Sequence, residues 1–256
     1  MKFFQVMVDG GVRFSFLDGE TLMLMEELPD GRWQKSDRSM PLLGARLLPP
    51  IAPTKVVALG LNYRNHALEM KLPIPEEPII FLKPATAVIG PGEAIVYPGG
   101  GLTHRVDYEA ELGIVIAQRC RKVKAEDAAS VIMGYTCVND VTARDLQGKD
   151  GQWTRAKSFD TFCPIGPCIE TELDPSHLVV RAILNGKVVQ ESSTAELIFN
   201  VPKIVELVTR VMTLLPGDII ATGTPPGVGR MKPGDEITVE VEGIGRLTNP
   251  VVEDQP

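Results

Sequence analysis

The chain has 256 residues, 44% hydrophobic and 23% charged, an ordinary globular composition with enough apolar mass for one large core. Its net charge of −7 argues against a nucleic-acid groove or an anionic membrane surface, but not against a small anion, because local cations can reverse the field inside a cleft. Four cysteines without a CxxC pair, beside only three histidines, speak against a structural zinc site or a disulfide framework and for buried, reduced thiols.

The opening MKFFQVMVDGGVRF is broken by Gly10-Gly11 and Arg13, unlike a signal peptide, and no 18-residue apolar run follows. A soluble, cytoplasmic protein is expected. Up to residue 48, short apolar runs alternate with the turn signals Asp9-Gly10-Gly11, Asp18-Gly19 and Pro29-Asp30-Gly31. Pro41, Pro49, Pro50 and Pro53 then close the segment. This predicts a small N-terminal β-subdomain with a Pro-rich connector over 1–53, followed by a second domain over 54–256.

Val56 to Leu61 is a continuous apolar run, the pattern of a buried strand. Asn62 to Met70 then reads as a short helix on which His66 and Glu69 share a face. A carboxylate beside an imidazole orients it and raises its basicity, as a general base requires; an incidental surface pair is the plain alternative. Pro73, Pro75 and Pro78 open a loop that could move, and Pro78 to Lys83 is the next strand.

Asp107 to Ile116, DYEAELGIVI, reads as one strand with a carboxylate at every second position. Side chains alternate along a strand, so Asp107, Glu109 and Glu111 would share a face at spacings of roughly 6.6–6.8 Å. Three such acids repel unless something positive sits among them, which a divalent cation or a solvated edge would each relieve.

Ala125 to Met133 fits an amphipathic helix, and Gly134 to Asp145 a strand ending in polar residues, where Asp140 offers a further carboxylate. Residues 148–153 read as loop. Lys157, between Ala156 and Phe159, is either a partly desolvated cation or a snorkelling side chain. Asn185-Gly186 marks a hairpin, and Val201 to Leu214 a structural helix with Pro202 near its start. Asp218 to Thr222 is a strand entering the loop GTPPGVG at 223–229. No Gly-Lys-Ser/Thr follows, so this is no phosphate loop, but its amides and the Thr224 hydroxyl could hold a carboxylate. His104 and His177 flank turns and read as surface residues.

Five segments taken together, GLNYRNHALEM at 60–70, DYEAELGIVI at 107–116, NDVTARDLQ at 139–147, AKSFDTFCPIGP at 156–167 and GDIIATGTPPGVG at 217–229, resemble the fumarylacetoacetate hydrolase family over about residues 54–250. The resemblance implies an α+β, predominantly β fold, a mixed β-roll, usually assembled as a homodimer. It implies Mg²⁺ or Mn²⁺ on Glu109, Glu111 and Asp140, an all-oxygen set suited to those ions, with Asp107 left out. Lys157 would be the active-site lysine, Arg144, Gln147 and Thr224 substrate contacts, and His66 with Glu69 a catalytic dyad on a lid helix.

Members of the family act on small 2-oxo acids, not on nucleic acid or membranes, through a metal-chelated enolate. Three reactions stay open: isomerisation or tautomerisation (2-hydroxyhepta-2,4-diene-1,7-dioate or oxaloacetate), C–C hydrolysis of acylpyruvates, and decarboxylation of oxaloacetate. KSFDTFCPIGP is closer to the isomerase and tautomerase-like members, whereas the dyad leans toward hydrolysis. Outside enzymes, the reading is a non-catalytic metal-binding relative.

Overall fold

Runs that are apolar throughout occupy the centre of the fold, and alternating runs its margins, as burial on two faces or on one requires. The computed structural model describes residues 1–28, 33–69, 71 and 73–254, in which strands far outnumber helices. Lys55–Gly60 and Ala110–Ile116 are buried almost without break. Thr21–Glu27 buries alternate residues instead.

A twelve-stranded sheet carries the architecture. It runs Trp33–Pro41, Thr21–Glu27, Gly11–Asp18, Lys2–Val8, Cys163–Glu170, Ile132–Asn139, Ala110–Ile116, Ile219–Ala221, Lys55–Gly60, Ile79–Pro84, with Leu47–Leu48 and Val88–Ile89 paired off this path. Neighbours are antiparallel except Ile219–Ala221 with Lys55–Gly60 and Val88–Ile89 with Cys163–Glu170, so the sheet is mixed. A five-stranded sheet (Lys187–Ser193, Val179–Leu184, Glu236–Val241, Gly245–Glu253, Ile95–Tyr97) shares one core with it, Ile237, Val239 and Leu247 clustering with Leu112 and Ile114. This is the α+β, predominantly β fold that the sequence implied.

The N-terminal hairpins form where turn residues were read. Asp9 and Gly10 take φ of 51° and 75°, the positive values of a tight primed turn between Lys2–Val8 and Gly11–Asp18. The turn read at Pro29-Asp30-Gly31 lies outside the described residues. These strands extend the main sheet, Phe3 standing opposite Ile169, and Phe4, Val6 and Leu22 enter the common core.

Four α-helices occur among the described residues: α1 (Arg64–Glu69), α2 (Arg144–Asp150), α3 (Thr154–Lys157) and α4 (Val201–Val211). On α4 the Lys203 N–H donates to the Asn200 side chain, and Ile204, Val205 and Val208 of its apolar face are buried, while Val211, read as part of that face, is exposed and ends the helix short of Leu214. Met70, read as the end of the first helix, lies outside the described residues. Two expectations fail. Ala125–Val131 is a 3₁₀ stretch running into strand Ile132–Asn139, so the amphipathic α-helix read there does not form. Residues 144–150, read in part as a strand end and a loop, and residues 154–157, given no element from the sequence, are helical; α2 buries only Leu146, too little for an apolar stripe to show in sequence. No described helix is long and apolar enough to cross a membrane.

Candidate active site

The acidic stretch is two strands rather than one. Val106–Tyr108 pairs with Thr142–Ala143 and Gly229–Met231, whereas Ala110–Ile116 belongs to the main sheet. The break falls at Glu109, whose N–H donates to Asn139 Oδ1 at 3.0 Å while its carbonyl accepts the Asp140 N–H at 2.9 Å. Alternation therefore does not carry across it, and the three-acid face read from sequence does not exist. Asp107 turns to Arg105 (3.0 Å) and Arg144 (2.9 Å). Glu109, Glu111 and Asp140 converge instead, each offering an oxygen within 4.8 Å of the others, all three buried.

Two lysines and an arginine face these carboxylates. Lys157 at the end of α3 is buried and donates to Glu109 Oε2 at 2.9 Å and Asp140 Oδ2 at 2.5 Å. Arg144, the first residue of α2, reaches Glu109 Oε1 and holds Gln147 Oε1 at 2.6 Å. Lys83, the penultimate residue of strand Ile79–Pro84, donates to Asp140 Oδ1 at 2.6 Å. Its site role was not read from the sequence, because a lysine ending an apolar strand usually snorkels to water.

These cations divide the carboxylates. Burial penalises the charge on Glu109, but Lys157 and Arg144 more than offset this and hold its carboxyl below the ordinary range. Glu111 makes no ion pair among the described residues. Burial first, then Asp140 and Glu109, push its carboxyl well above that range, and its one close donor is the Gly223 N–H at 2.7 Å. Burial opposes the Lys157 charge, and Asp140 and Glu109 outweigh it. Three buried carboxylates, one of them without a cation, form the hard oxygen donor set that Mg²⁺ or Mn²⁺ takes; the residues fit such an ion.

His66 and Glu69 meet on α1, Nδ1 and Oε2 standing 2.9 Å apart, with His66 largely buried. The Glu69 carboxylate also accepts the Gly227 N–H at 3.2 Å, which ties α1 to the 223–229 loop. A cavity of about 170 Å³ brings His66, Glu109, Glu111, Arg144, Gln147, Lys157 and Thr224 onto one wall system with Leu59, Leu61, Ile79, Phe81 and Trp153. Thr224 is present, but its hydroxyl donates to Ala110 O (2.9 Å) and accepts from Gln190 (3.0 Å). Its proton therefore serves the loop, not a carboxylate in the cavity. Gln190, unassigned from sequence, also accepts the Ala110 N–H. His104 and His177 are exposed, and the four cysteines are buried and free.

Residues 55–252 match the family model of the fumarylacetoacetate (FAA) hydrolase C-terminal domain, and residues 1–50 that of the Rv2993c-like N-terminal domain. The chain belongs to the fumarylacetoacetate hydrolase family. Within that family, Protein Rv2993c of Mycobacterium tuberculosis is 47% identical over 262 residues, covering 98% of both chains. The mitochondrial oxaloacetate tautomerase FAHD2A of Bos taurus is 44% identical over 218 residues, 80% of this chain and 69% of its own. The crystal structure of 2-hydroxyhepta-2,4-diene-1,7-dioate isomerase from Mycobacterium marinum is similar at a TM-score of 0.91 and 45% identity, covering 100% of each chain. That of maleylpyruvate hydrolase from Sphingobium sp. SYK-6, in complex with manganese(II) and pyruvate, gives 0.83 and 30%, again over 100% of each. Fumarylacetoacetate hydrolase family members are enzymes, and these relatives span isomerase, tautomerase and hydrolase names.

Proposed function

We propose that the chain is a divalent-metal-dependent keto–enol tautomerase of a short 2-oxo diacid of the oxaloacetate type. The observation that carries this is the cavity. At about 170 Å³ it lies below the roughly 300–1,000 Å³ of pockets for drug-sized ligands, and it is lined by His66 of the dyad together with Glu109 and Glu111 of the carboxylate cluster. A relative in cattle carries the name oxaloacetate tautomerase, which supports the same reading.

Glu109, Glu111 and Asp140 would hold Mg²⁺ or Mn²⁺, which supplies Lewis acidity toward the carboxylate and 2-oxo oxygens of such a substrate. The chain's own residues do the rest. Arg144 and Gln147, bonded to each other, present donors that orient the substrate anion. The Lys157 ammonium adds positive charge where the 2-oxygen gains negative charge, in a site walled by Phe81 and Trp153. With Nδ1 held by Glu69, the other ring nitrogen of His66 takes a proton from C3 and returns it to the 2-oxygen.

Tautomerisation is read by ¹³C NMR of oxaloacetate with enzyme and Mg²⁺. Enol–keto exchange should rise above the enzyme-free rate, stop with EDTA, vanish in Glu109→Ala, and fall by about 10²-fold or more in His66→Ala. Pyruvate and CO₂ in place of exchange would make the protein a decarboxylase. No exchange at all ends the tautomerase reading. The dyad itself favours a second one: His66 oriented by Glu69 could deprotonate a water for C–C hydrolysis, which an acylpyruvate assay reads directly.

A further inference from the structure

A buried ammonium stands behind the carboxylate cluster and has no part in the proton transfer just described. Lys83 is fully buried, its Nζ 2.6 Å from Asp140 Oδ1 and 3.1 Å from Val141 O. Both neighbours accept, so the Lys83 nitrogen donates to each. The other oxygen of Asp140 takes Lys157. The two lysines differ in access: Lys157 lines the cavity and Lys83 does not. Lys83 can therefore reach a substrate only through Asp140 and through its field.

The charges around it form a closed set. Asp107, Glu109, Glu111 and Asp140 face Lys83, Arg105, Arg144 and Lys157, and with every acid ionised the signs balance. A divalent ion brought to the cluster leaves an excess of two positive charges. A doubly ionised 2-oxo diacid carries the opposite amount. Remove Lys83, and the empty cluster loses one positive charge, becoming net negative once Glu111 is also ionised, while the loaded one keeps half of its excess. In a water-poor site such a charge is screened weakly, so its effect is felt at both steps.

We infer that Lys83 is a positioning residue whose charge trades cation affinity for anion affinity. It weakens the grip of Glu109, Glu111 and Asp140 on the divalent ion and leaves the loaded site attractive to a dianionic 2-oxo acid. The inference rests on the metal-dependent reading above and adds to it the residue that sets substrate charge class. A purely structural lysine predicts something else: losing its bond to Asp140 would loosen cation and anion together, as loss of an outer-shell partner does by about 10–100-fold in metal affinity.

The test measures two affinities with opposite expected signs. Mn²⁺ binding is followed by electron paramagnetic resonance, and oxalate binding at saturating Mn²⁺ by calorimetry, in wild type and in Lys83→Met. Mn²⁺ should bind about threefold or more tighter in the variant, and oxalate about threefold or more weaker. Both affinities falling, or neither moving, overturns the inference. If Lys83→Met does not fold by circular dichroism, Lys83→Gln, which removes the charge but keeps a donor for Asp140, carries the same comparison. A wild-type protein that binds no Mn²⁺ would instead remove the metal-dependent reading beneath it, and this inference with it.

Discussion

Glu109 and Glu111 stand two residues apart and are driven in opposite directions. Burial opposes ionisation at both, but Glu109 has Lys157 and Arg144 while Glu111 faces Asp140 and Glu109. The stability consequence follows from sign. With its carboxyl raised in the folded chain, Glu111 contributes stability that is complete below its ordinary value of 4.5 and is lost as pH rises through the raised one. Lowered Glu109 does the reverse, its contribution present above 4.5 and lost as pH falls through the depressed value. Without metal, the melting temperature should therefore fall as pH is raised through the Glu111 carboxyl. Saturating Mn²⁺ should remove that fall by displacing the proton, and Glu111→Gln should remove it without metal. Melting curves from acid to neutral pH, in EDTA and in Mn²⁺, read this; a flat EDTA series would contradict a proton on Glu111.

The same residues show what the sequence could reveal. Carboxylates at every second position marked the place, yet alternation assigned Asp107 to the wrong group, because the break at Glu109 depends on side-chain and carbonyl bonds from Asn139 and Asp140. Those partners are thirty positions away. Family resemblance, by contrast, separated Asp107 from the other acids.

Among elements, the 223–229 loop does the most with the least side chain. Gly223 sits at φ +97°, where a Cβ would meet the Asn62 Cβ at 2.8 Å, and its amide is the close donor to Glu111. Gly223→Ala should cost about 1–3 kcal/mol of stability through backbone strain and contact. It should also weaken Mn²⁺ binding, since the amide moves with the backbone. Thermal melts and a Mn²⁺ titration on the same preparation check both; wild-type values in each would show that the amide does not position Glu111. The helices α2 and α3 were not legible in the sequence, since short polar segments stabilised by tertiary contacts leave no periodic trace.

For the whole molecule, the N-terminal strands are a margin of the main sheet, although composition set them apart as a subdomain. Removing residues 1–53 would strip Lys2–Val8 from Cys163–Glu170 and uncover core around Phe4 and Ile169. An exposed edge of that kind invites pairing between copies. The truncated chain should melt well below the full one or aggregate, as calorimetry and light scattering would show; an unchanged melt would make the division at 53 a true domain boundary.

Strand Ile219–Ala221 lies between Ala110–Ile116 and Lys55–Gly60, both of which precede it far back in the chain. A growing polypeptide must therefore leave that slot open until late in synthesis. The segment that fills it also delivers the Gly223 amide to Glu111 and the Gly227 amide to Glu69. An unfinished chain emerging from the ribosome thus carries its acidic residues without the last pieces that fix them, and chemical competence arrives together with closure of the sheet.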